Sequence, residues 1–121
     1  MKVSELVDLT KVIPELKGRV YHTWPQKNPP FPCVLIASIG RNSPLQYQGE
    51  EITVVQTFSV DVYAKKPSEL EKLVESLNAL YTRNDITNMG MFDAFDNKEG
   101  TYRTNLTYRV NSTKHGTYRG G

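Results

Sequence analysis

The sequence predicts an α+β fold: an antiparallel or mixed sheet of about four to five strands, with two helices packed on one face, in the order α-β-β-β-α-β-β. Three observations carry this. From Ile52 to Tyr63, the residues Ile52, Val54, Phe58, Val60 and Val62 recur at period two, with Thr53, Thr57, Ser59 and Asp61 between them. That is a strand with one buried and one wetter face. From Ser68 to Arg83, Leu70, Leu73, Val74, Leu77, Leu80 and Tyr81 recur at spacings of three and four, which is a helix with a single apolar stripe. Between such segments stand Pro-, Gly- and Asn-rich stretches that interrupt either pattern.

At the start, Leu6, Val7 and Leu9 give a short helix over Ser4 to Val12, ended by Pro14. After Gly18, Arg19 to Trp24 reads as a short strand. The stretch from Pro25 to Pro32 holds four prolines in eight residues and makes a stiff connector. Cys33 to Ile39 is nearly all apolar, the pattern of a strand buried on both faces. Gly40 to Glu51 is polar, with Gly40, Asn42, Ser43, Pro44 and Gly49 as loop formers, so the flanking strands make a hairpin with a long loop. Ser68 and Glu71 have the spacing of a capping box at the start of the second helix. Asn84 to Gly90 reads as a loop, Met91 to Phe95 as a short strand, and the residues from Asp96 to Gly100 as a turn. In the last strand, Thr101 to Asn111, Tyr102, Thr104, Leu106, Tyr108 and Val110 form one face. Arg103, Asn105, Thr107 and Arg109 form the other. Residues 1–111 thus make one domain and 112–121 a flexible basic tail.

The long strand outruns its helix. Twelve strand residues span about 40 Å at 3.3 Å each, whereas sixteen helical residues span about 24 Å. The helix covers about seven strand residues at the Tyr63 end. Ile52 and Val54 require another cover, either the N-terminal helix or a neighbouring subunit.

Composition fits one globular domain: 23% charged and 38% hydrophobic residues in 121 positions. No apolar run approaches the roughly 20 residues of a membrane span, and MKVSELVDLT breaks up the apolar stretch that a signal peptide requires, so the protein is expected to be made in the cytoplasm without membrane contact. A lone Cys33 within an apolar run excludes an internal disulfide and reads as a buried structural thiol. The net charge of +2 is unevenly spread. Residues 101–121 hold Arg103, Arg109, Lys114 and Arg119 and no acid, while the first hundred residues carry a net −2. This basic end is either a solvated tail or a contact for DNA or an acidic surface.

Catalytic patterns are thin. His22 and His115 have no ligand-spaced partners, and no nucleotide-binding or nucleophile motif occurs. Asp93, Asp96, Asn97 and Glu99 are acidic but lack the alternating spacing of a calcium loop, and read as a polar hairpin tip. Asp61 is positioned to pair across the sheet with Arg103 or Arg109, an exposed interaction worth under about 1 kcal/mol. Neither catalytic residues nor metal or cofactor sites are expected. The remaining signal is aromatic residues in connectors, above all Trp24, which either plugs the sheet edge or anchors a partner.

Read in order, a short helix, LKGRVYHTWP, a Pro-rich link, PCVLIAS, a polar loop, ITVVQTFSVDVYAK, a Ser-initiated helix and TYRTNLTYRV, the chain resembles the tail-completion (tail-terminator, head–tail joining) proteins of long-tailed bacteriophages and prophages. The resemblance spans about residues 3 to 111. It implies a non-enzymatic virion protein at the neck, forming a ring, expected to be a hexamer, that caps the tail tube, ends its polymerisation and joins it to the neck or head-completion protein. DNA would pass through the lumen without sequence-specific contact. In that setting Trp24, Arg41, Tyr47, Glu50, Ile52, Val54, Phe92 and Phe95 are candidate subunit, tube or neck contacts. Arg103, Arg109, Lys114 and Arg119 are candidate lumen- or partner-facing bases. Alternatives are a head-closure or connector protein, a DNA binder using Arg103 and Arg109, and a small enzyme using Asp61, His22 and Arg103.

Overall fold

A computed structural model describes residues 1–25, 27, 29–42, 51–96 and 100–115. The elements are α1 (Val3–Thr10), a 3-10 turn (Pro14–Leu16), β1 (Val20–Tyr21), β2 (Cys33–Asn42), β3 (Glu51–Ala64), α2 (Pro67–Arg83), β4 (Ile86–Asp96) and β5 (Thr101–His115). They form a single mixed sheet in the order β1-β2-β3-β5-β4. Only the β1–β2 pair is parallel.

This order follows from the connections. Helix α2 carries the chain back to the end where β3 began, so β4 runs parallel to β3 with room for one strand between them. Strand β5 then turns back and fills the gap, antiparallel to both. The result is a split β-α-β unit. Both helices lie on one face. Leu6, Val7 and Leu16 from the N-terminal part, Leu70, Leu73, Leu77 and Tyr81 from α2, and Val34, Ile36, Phe58, Val60, Val62, Leu106 and Tyr108 from the sheet form one continuous core. The α+β class and element order are as expected from the two periodicities.

The helices are joined by a buried polar link. The Thr10 hydroxyl donates to the Leu6 carbonyl at 2.7 Å, which uses its only proton. The Tyr81 hydroxyl, 2.5 Å from Thr10 Oγ1, must therefore be the donor in that bond. The Tyr81 ring stands edge-on to Tyr108 at 4.6 Å and 90°. The Tyr108 hydroxyl in turn donates to Asn78 Oδ1.

Several local expectations are corrected. Asn84–Gly90 is not a loop: α2 passes into β4 through Asn84 and Asp85, the latter at φ 60°, and β4 is a full edge strand. Its loop-forming residues are absorbed by a bulge between Asn88 and Gly90, where the Gly90 N–H donates to Asn88 Oδ1 at 2.8 Å. Helix α2 begins one residue early, with Pro67 at its first turn and Lys66 as N-cap, so Ser68 lies inside the helix and makes no capping bond. β1 is two residues long and His22 falls beyond it, exposed. In β2 two-sided burial holds only near Cys33. Val34 and Ile36 are buried, but Ala37 and Ile39 on the rest of the strand are exposed. β5 continues through His115, four residues past the end of its alternation.

Candidate functional site: an uncovered sheet face and its edge

Residues opposite one another in a ladder point to the same side, so the register defines the face that no helix covers. Its central rows are Phe92–Asn105–Asp61–Leu35 and Ala94–Arg103–Tyr63–Cys33. Asn105 holds the first row together. Its side-chain amide donates to Ser59 Oγ at 2.7 Å and to Asp61 Oδ1 at 2.8 Å. Arg103 Nε lies 3.8 Å from Asp61 Oδ1, the cross-strand pair anticipated from the alternation.

Tyr63 sits among these charges. Burial raises its phenol pKa, the Asp61 carboxylate raises it further, and a hydrogen bond from Arg103 opposes both. At this end the Pro-rich connector folds over the sheet. Trp24 meets the Tyr63 ring edge-on at 5.2 Å, Phe31 lies 6.2 Å away, and Lys65 Nζ stands 5.0 Å above the Phe31 ring. Cys33, opposite Tyr63, is fully buried, and desolvation lifts its thiol pKa from 9.0 to about 11. Trp24 thus packs on Tyr63 and still leaves 37% of its surface exposed.

Toward the other end the face carries Thr57, Thr107 and Arg109. The Nε atoms of Arg103 and Arg109 are buried without a hydrogen-bond partner among the described residues. Asp61 and Arg103 come together, but His22 does not join them: it bonds Thr23 Oγ1 at 3.1 Å and lines a cleft with Val3 and Ile36 at the outer edge of β2. That arrangement supplies no acid–base pair for the enzyme alternative. Among the described residues no three metal-ligating side chains converge, and no helix is long and apolar enough to cross a membrane.

Among the described residues the exposed large apolar side chains are Val12, Trp24 and Ile39, which stand apart, and a cluster of three at one edge. β4 is the last strand of the sheet and exposes Met89, Met91 and Phe92, the last two by 59% and 65%. Phe92 is on the uncovered face; Met91, opposite Leu106, is on the helix side. A row of free backbone groups flanked by such side chains is a template for another strand. Sequence periodicity found only the second half of this edge, Met91 to Phe95, because Asn88 and Gly90 disguise its first half as loop.

At the opposite end, Glu51–Val54 pair with Ser112–His115 beyond the last partners of β3 in β2 and of β5 in β4. Among the described residues this four-pair ribbon extends about 13 Å beyond the other strands. Ile52 and Val54 belong to it, opposite Lys114 and Ser112. The side chains of Ile52, Val54, Lys114, Arg41 and Phe95 lie outside the described ones, and Tyr47, Glu50 and Arg119 lie outside the described residues altogether.

The fold has a counterpart among solved structures. A chain from the virion of a native gene transfer agent particle superposes with a TM-score of 0.59 at 13% sequence identity, covering 84% of this chain and 82% of that one. The likeness is one of fold. No protein-family model matches the sequence, and no curated protein matches it.

Proposed function

We propose that this protein is a structural virion subunit that assembles into a ring, expected to be six-fold, which caps the tail tube, ends its growth and joins it to the neck protein while DNA passes through the lumen. The observation that carries the reading is the β4 edge, with Met89, Met91 and Phe92 exposed beside free backbone groups. The fold shared with a chain of a virion particle supports it.

In this reading copies associate head to tail, each using two different patches. Phe92 on the uncovered side of β4 anchors one patch, with Phe95 further along the same edge strand as a second candidate contact, and Trp24, at the other side of the uncovered face, contributes to the second patch. The Ile52–Val54 ribbon and the Arg41–Glu50 segment, including Tyr47, reach along the ring axis toward tube or neck. Arg103 and Arg109 supply positive charge to the lumen, where non-specific contact with phosphates requires no base readout, and Lys114 and Arg119 are left to face the lumen or the next subunit.

The test is electron microscopy of purified protein mixed with tail tubes. Six-fold rings at tube ends are expected from the wild type, and none from Phe92→Ser at unchanged thermal stability. Twelve-fold rings would transfer the protein to the connector class. A compact monomer that ignores tubes would overturn the reading.

A further inference from the structure

A second feature of the β4 edge points to how neighbouring copies hold one another. Between α2 and the β4–β5 ladder runs a groove of about 440 Å³, the lower range of pockets that enclose a ligand group, about 300–1,000 Å³. Val74, Met91 and Tyr102 supply apolar surface. Its rim carries three carboxylates, Glu71, Glu75 and Asp93, and its one cation, Arg103, already faces Asp61. Glu71 and Glu75 sit at i,i+4 on one helix face and form no ion pair with any described residue, an arrangement of like charges that repels itself. An aromatic side chain accompanied by positive charge is the complement of this groove.

The chain itself contains such a segment. Residues Lys114 to Arg119 read Lys-His-Gly-Thr-Tyr-Arg, with no acid from position 101 onward. They cannot serve their own groove. Strand β5 carries the chain from Thr104, at the groove, to His115, about 36 Å at 3.3 Å per residue. The six residues Gly116–Gly121 extend at most about 20 Å. The groove of a second copy is under no such limit.

We propose that residues 116–121 of one copy dock in the Glu71–Glu75–Asp93 groove of a neighbour, with Tyr118 on the apolar floor and Arg119 at the carboxylates. This deepens the ring reading and rests on it for the identity of the neighbour: the segment becomes a strap from each subunit to the next.

Disulfide trapping tests the strap directly. Full-length Val74→Cys protein is mixed with full-length Tyr118→Cys protein under mild oxidation, with Thr87→Cys replacing Val74→Cys as the control at the far end of β4. The native Cys33 is buried in every variant. The expected result is a Val74–Tyr118 cross-linked dimer at least tenfold above the control, falling at least tenfold when Glu71→Lys and Glu75→Lys are added. The chain carrying both cysteines should give intermolecular ladders. Yield equal to the control, insensitivity to the charge reversal, or a monomer closed on itself would each overturn the proposal. Rings on tubes without the cross-link would sink the strap alone. The cross-link between the two variants, together with a wild type that forms no rings, would leave the strap standing and sink the ring.

Discussion

The hydroxyl link between the two helices gives a prediction whose sign differs with the side from which it is cut. Tyr81 is the donor and Thr10 Oγ1 the acceptor, because the Thr10 proton is held by the Leu6 carbonyl. Both residues are fully buried. Thr10→Val leaves the Tyr81 hydroxyl proton unpaired in an apolar core, a cost of about 1–3 kcal/mol. Tyr81→Phe removes the donor and leaves an acceptor already engaged through its own proton, so the loss is about 1 kcal/mol. Replacing both by apolar groups of similar shape removes the orphan with the bond, and the double variant should lose no more than about 1 kcal/mol. The two single losses therefore exceed the double loss by about 2 kcal/mol, read from urea unfolding midpoints at constant m-value. Additivity within about 0.5 kcal/mol would refute the donor assignment and the idea that this bond locks α1 to α2.

Two further predictions concern the uncovered face. Because burial holds the Cys33 thiol at about 11 against 9.0, the unfolded chain releases its proton first. Stability from this group is complete below about pH 9 and declines toward pH 11, by at most about 3 kcal/mol. Alkylation of the thiol in native protein at pH 8 should track global unfolding, and rapid labelling would contradict the burial. Asn105→Leu removes the amide that joins Ser59 to Asp61 and should cost about 1–2 kcal/mol; an unchanged melting temperature would show that the row is held by the backbone ladder alone.

The most legible parts of the fold were those where one period dominates. β3 alternates through Val62 and α2 repeats Leu70, Leu73, Leu77 and Leu80, and both formed within two residues of expectation at each end. The Asp61–Arg103 pair was legible for the same reason, since alternation alone puts both on the polar side. What failed depended on partners. Asn84–Gly90 has the composition of a loop, and only the adjacent β5 ladder turns it into an edge strand with a bulge. β5 was expected to stop at Asn111, but β3 offers it backbone partners as far as Glu51, whatever the side chains. The groove under α2 was invisible because its walls, Val74 and Tyr102, meet only through the crossover.

The two free margins of the sheet have opposite polarity. Strand β2, beyond the two residues shielded by β1, and strand β4 run in contrary directions. Two molecules laid side by side would therefore join as antiparallel neighbours, and each joining would regenerate the margin it consumed. Nothing in hydrogen bonding alone would stop such a series. A finite assembly has to bend back on its own beginning, by about 60° per molecule for six, so the angle at this seam decides between a closed collar and an endless fibre.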